Sequence, residues 1–145
     1  MTTPAATSPG PLFLDPADQF RHEVYIEWAE RIPAEQKAAF PLAPYTLGER
    51  FLSSLEAVQG AERTKVVQVV VEILTGLDRE LASRDRHVLR AGAAGNAAPV
   101  TREDGSVCWR VTLQRNRPSA RRLHFWSAPS GIDLSRVVLH DDMKP

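Results

Sequence analysis

Apolar positions along the chain follow two periods, helical in the first half and alternating in the second, with the change near residue 87. Phe20, Val24, Trp28 and Ile32 recur at helical spacing and stop before Pro33. Asp15 is placed to cap that helix, Pro16 suits its first position, and Asp18 adds a negative charge where the helix dipole favours one. The stretch HEVYIEW inside it is rich in branched and aromatic residues and would also suit a first strand. Residues 33–45 contain three prolines and read as a connection with a short helical turn near Ala34–Phe40. Thr46 followed by Glu49 forms a capping-box pattern, and Leu47, Phe51, Leu52, Leu55 and Val58 continue as an apolar stripe. After Gln59–Gly60, the spacing predicts a second helix from Ala61 to Thr75, with Val66, Val70, Ile73 and Leu74 on one face and Gly76 as its carboxy-terminal cap. The run VVQVVVEIL resembles a strand in composition, but its polar start and its spacing favour a helix, giving a helical hairpin.

Beyond His87–Arg90, which suits a short strand, AGAAGNAAPVTREDG reads as a long loop. SVCWRVTLQ, RRLHFW and IDLSRVVLH then alternate as three strands joined by short turns, the pattern of an antiparallel meander. Alternation sends Val107, Trp109, Val111 and Leu113 to one face and Cys108, Arg110, Thr112 and Gln114 to the other. By the same rule Arg122, His124, Trp126, Arg136 and His140 join Arg110, although Val138 shares their face. The expected architecture is α+β: an amino-terminal helix and a helical hairpin packed on a small antiparallel sheet of three to four strands. Residues 1–14, with three prolines, read as a disordered tail. Residues 15–145 read as one domain, with 15–45 as a helical extension and 46–145 as the core.

Composition narrows the function classes. The chain has 145 residues, 43% hydrophobic and 25% charged, which fits one globular domain with a real core. Its single cysteine, Cys108, permits neither an internal disulfide nor a cysteine-based metal cage. The first residues lack the charged start and apolar run of a signal peptide, and no apolar stretch approaches the ~18 residues of a membrane span. A cytoplasmic protein without a membrane partner is expected. Net charge is zero but unevenly placed: residues 1–45 hold three basic residues against six acids, and residues 84–145 hold eleven basic residues against six acids. Ten of those eleven are arginines, whose planar fork grips phosphate through two parallel hydrogen bonds. A genome rich in G and C would raise arginine, alanine and proline together, so the excess acquires meaning only through placement.

Placement supplies it. One sheet face gathers Arg110, Arg122, His124, Arg136 and His140, with Trp126 positioned to stack on a base and Arg121 next to Arg122. Cationic forks, imidazoles and an indole are the groups that recognise single-stranded RNA. They also suit phosphodiester cleavage, with histidine moving a proton and arginine stabilising charge on the phosphate. Neighbouring residues on a strand point apart, so His140-Asp141-Asp142 does not form a three-ligand metal site, and neither metal nor cofactor is expected. A solvated basic face, or one covered by the acidic amino-terminal helix, is the competing reading.

The order of helical hairpin, long loop and three-stranded meander, from about Gly48 to Met143, resembles the RelE/ParE superfamily of bacterial toxins. RFLSSLEAV with ERTKVVQVVVEIL resembles the paired helices. VCWRVTLQ resembles the strand that carries a central arginine, at Arg110, and LSRVVLHDDM resembles the final strand, which ends near a catalytic residue. The resemblance implies a toxin that cuts messenger RNA on the ribosome, or in the ParE branch blocks a protein target, and that is silenced by an antitoxin. By position, the resemblance gives His140 the catalytic role; on the basic face, proton transfer falls to His140 or His124 with Arg110 beside them, and RNA contacts fall to Arg122, Arg136, Trp126 and Arg121.

Overall fold

The computed structural model describes residues 15–91, 97–114, 120–139 and 144–145. The tail expected at residues 1–14 lies outside these residues. Helix α1 spans Pro16–Arg31 and starts as its sequence dictates: the Asp15 carboxylate accepts from the Ala17 amide at 2.8 Å, and Pro16 occupies the first turn. HEVYIEW is therefore helical. Phe20, Val24 and Ile32 are buried, and Trp28 is partly buried, with its indole N–H donating to the Phe40 carbonyl at 2.8 Å. A single turn at Ala34–Gln36 follows.

Among the described residues, five strands form one sheet. They are β1 (Tyr45–Leu47), β2 (His87–Val88), β3 (Val107–Thr112), β4 (Arg121–Ala128) and β5 (Gly131–Leu139), in the order β1-β5-β4-β3-β2. β2, β3, β4 and β5 pair antiparallel, which is the expected meander with β2 added at its edge. β1 pairs parallel with β5, so the sheet is mixed and five-stranded where three to four antiparallel strands were expected. This strand also changes the reading of Thr46. It caps no helix: Gly48 precedes α2 (Glu49–Leu55), and the Thr46 hydroxyl donates to Asp133 on β5 at 3.0 Å. Pairing with a distant strand satisfies the Thr46 backbone and overrides the local capping pattern.

Helix α3 (Ala61–Thr75) has the expected bounds and ends at Gly76, whose φ of 85° is left-handed. Its valines are buried nearly all round: Val66, Val67, Val69, Val70 and Val71 share one core with α1 and with the sheet. That two-sided burial is why VVQVVVEIL reads like a strand. α1 packs on α3 and α2 on β5. Phe20 meets Phe51 edge-to-face at 5.2 Å, so the amino-terminal extension is part of the core. It also lies on the helical side of the sheet, which excludes it as a cover for the basic face.

The faces follow the expected alternation. Val111, Leu113, Leu123, Phe125, Leu134 and Val137 meet the helices. Trp109 is only partly buried against them, and the Arg86 guanidinium lies 3.7 Å from its ring centre. A bulge explains the irregular alternation in β5: His124 pairs with Arg136 and Phe125 with Leu134, leaving Ser135 as the extra residue. The bulge lets Leu134 and Val137 share the helical face although three positions separate them.

The β4–β5 turn is closed by Gly131, at φ 145°. A Cβ there would come within 2.5 Å of the Pro44 carbonyl oxygen, which accepts from the Ile132 amide beside it. Gly131→Ala is therefore expected to cost about 1–3 kcal/mol, a backbone-strain penalty, read as a lower midpoint in urea melts. An unchanged midpoint would remove the close approach of β1 to this turn as a constraint.

Candidate nucleic-acid interface

Register aligns the basic residues across the sheet. Arg110 on β3 faces His124 on β4, and His124 faces Arg136 on β5. Neighbouring strands lie about 4.8 Å apart, so this row spans roughly 10 Å between its outer α-carbons. Cys108 faces Trp126 on one side of the row, and Thr112 faces Arg122 on the other. The structure thus brings Arg110, Arg122, His124, Arg136 and Trp126 to one face. His140, with Asp141 and Asp142, lies outside the described residues.

The row is recessed. His124 is fully buried and Arg110 is 6% exposed, whereas Arg122 and Arg136 are half-buried. His124 donates from Nδ1 to the main-chain oxygen of Lys144 at 2.7 Å. Arg136 donates from Nε to the main-chain oxygen of Pro145 at 3.0 Å and from Nη2 to that of Lys144 at 2.9 Å. Arg122 donates through Nη1 to the carbonyls of Gln114 and Arg121 at 3.1 and 3.2 Å. Arg121, grouped with these residues from the sequence, is turned instead toward the helical layer and pairs with Glu62 of α3 at 3.3 Å.

Trp126 has a partner that the sequence did not announce. The Arg102 guanidinium lies 4.4 Å from its ring centre, and Arg102 Nη1 pairs with Asp133 at 2.7 Å. Trp126 is 8% exposed, so its ring is engaged by this cation and offers little surface to a base. Asp133 faces Trp126 in the β4–β5 register, which explains why Arg102 settles there. The signal for Arg102 would have been that register, which depends on the bulge and is not written in the local sequence. An open cleft of about 270 Å³ adjoins this group, lined in part by Thr46, Arg102, Asp104 and Asp133. Both of its carboxylates lie against the Arg102 guanidinium, Asp133 at 2.7 Å and Asp104 at 3.7 Å. Beside the row, on the same face, Leu89, Cys108 and Trp126 form a small second core with Val100 against it. Burial pushes the Cys108 thiol up to about 12, which keeps it protonated and unreactive at neutral pH.

Among the described residues no group of three His, Cys, Asp or Glu side chains is placed to hold a metal ion. No helix of these residues is long and apolar enough to cross a membrane. No protein-family model, curated protein or solved structure matches the chain.

Proposed function

We propose that the protein is an RNA-binding module that engages single-stranded RNA through the sheet face carrying Arg110, His124 and Arg136. The observation that carries this reading is the cross-strand register, which stacks three basic side chains in one row with Arg122 beside it. The half-buried Arg122 and Arg136 supply phosphate contacts. The buried Arg110 adds fixed positive charge beneath them. The resemblance of the sequence pattern to RelE/ParE toxins favours RNA among polyanions. Binding without cleavage is the reading the imidazole favours: His124 has no solvent access, and its Nδ1 proton is already committed to a main-chain oxygen.

A fluorescent single-stranded oligouridine titrated by anisotropy is expected to bind at low salt and to weaken steadily as salt rises. The logarithmic slope should be about 0.7 for each phosphate contacted. Arg122→Ala should lower that slope by roughly one contact without unfolding the protein. Salt-independent binding, or a slope unchanged in Arg122→Ala, would remove this face as the RNA contact. No binding at low salt would remove RNA as the ligand.

A further inference from the structure

We propose that Lys144–Pro145 is an autoinhibitory strap that occupies the phosphate-gripping edge of Arg136, so that RNA has to displace it. The inference rests on the RNA reading of the same face and adds its regulation.

The geometry is specific. The Nε and Nη2 atoms form the edge of a guanidinium that takes two oxygens of one phosphate side by side. In Arg136 that edge is filled by two oxygens of the chain itself, the Pro145 oxygen at 3.0 Å and the Lys144 oxygen at 2.9 Å. The Lys144 oxygen also accepts from His124 Nδ1 at 2.7 Å. One carbonyl therefore bridges two members of the basic row, on adjacent strands. The strap imitates the oxygen spacing of a phosphate but carries no negative charge at the bridging carbonyl. A phosphate in the same place gains the charge-assisted component that the Lys144 carbonyl lacks.

The strap lies at the surface, where a ligand can compete for its contacts. Lys144 is exposed, and Pro145 is only half-buried. Segments with few buried apolar contacts open locally at low free-energy cost. The chain binds RNA only in the fraction with the strap displaced, so its apparent dissociation constant is the intrinsic one divided by that fraction. An open population of a tenth or less then weakens binding about tenfold or more.

The test compares the full chain with a chain ending at Met143, both checked for folding by thermal melts and titrated with the fluorescent oligouridine at low salt. The shorter chain is expected to bind about tenfold tighter or better. Adding Arg136→Ala to it should abolish the gain, because the freed edge is then missing. The full-length double variant Lys144→Gly with Pro145→Gly, which keeps the strap but loosens its backbone, should bind severalfold tighter than the parent. Equal affinity of the two folded chains overturns the strap while leaving the RNA reading intact. A gain that survives Arg136→Ala also overturns it, since the contact released would not be the arginine edge. If neither chain binds, the RNA reading fails and the strap fails with it. If the shorter chain does not fold, the glycine variant decides by the same criterion.

Discussion

Replacing Glu72 by alanine is expected to destabilise the protein by about 3–5 kcal/mol, the usual cost of leaving a buried charge without its counter-ion. Glu72 is 3% exposed on α3 and holds two arginines: Arg84 Nε at 2.6 Å and Arg31 Nη1 at 2.9 Å. Arg84 is itself buried and also donates to the Thr112 carbonyl at the end of β3, at 3.2 Å. One carboxylate thus ties α1, α3 and the sheet together. Alanine would strand the Arg84 guanidinium in a dry site and leave Arg31, which is more exposed, free to rehydrate. Most of the loss should therefore trace to Arg84. The double variant Glu72→Leu with Arg84→Met removes both charges and should recover much of the loss, because matched apolar groups do not pay the desolvation of an ion pair. Urea melts of the two variants check this. A single-variant loss below about 1 kcal/mol would show that the arginines find other partners, since the expected range for a broken buried pair starts well above that.

Phe125→Ala is expected to cost about 3–5 kcal/mol, the range for truncating a large, fully buried aromatic. Phe125 is 1% exposed at the centre of β4, among the apolar side chains shared with the helices. Trp109, directly opposite it on β3, lies on the same face. It is larger but only partly buried, and its outer side is closed by Arg86, which pairs with the buried Asp78 at 3.0 Å. Trp109→Ala should therefore cost less than Phe125→Ala, because part of its ring contacts the Arg86 guanidinium rather than close-packed apolar core. Burial pushes the Asp78 carboxyl above its usual range, and burial likewise lowers the Arg86 guanidinium. Desolvation therefore outweighs attraction in this pair, and removing Trp109 would expose it to water and offset part of the cavity cost. Equal losses in the two alanine variants would show that β3 and β4 contribute alike to the core.

Periodicity made most of this fold legible. The stripe Phe20–Val24–Trp28–Ile32, the bounds of α3 and the two faces of β3 and β4 all follow from local spacing, because each buries its apolar side against the same core. What escaped depended on pairings between distant segments. Thr46 and Asp133 are 87 residues apart, and no local signal marks a three-residue strand that exists only because β5 lies beside it. The bulge at Ser135 likewise sets which side chains of β5 meet Trp126, and so decides where Arg102 and Asp133 settle. At the candidate site, alternation correctly aligned Arg110, His124 and Arg136. It was silent on depth, because burial of a strand face depends on what later folds over it. Arg121 was grouped with Arg122 by adjacency, whereas alternation puts it on the Leu123 side of β4, where it pairs with Glu62.

The parallel pairing of β1 with β5 also shapes the protein's birth on the ribosome. β1, α2 and α3 emerge first, but the strand that flanks β1 and the surface that covers α2 are both supplied by Gly131–Leu139. At a synthesis rate of 5–20 residues per second, the 87 residues between Thr46 and Asp133 take roughly 4–17 s to appear. Throughout that interval the edge of β1 and the side of α2 that packs on β5 have no finished partner. The nascent chain is then a natural client for chaperones, and its helical half is committed to wait for its last strand.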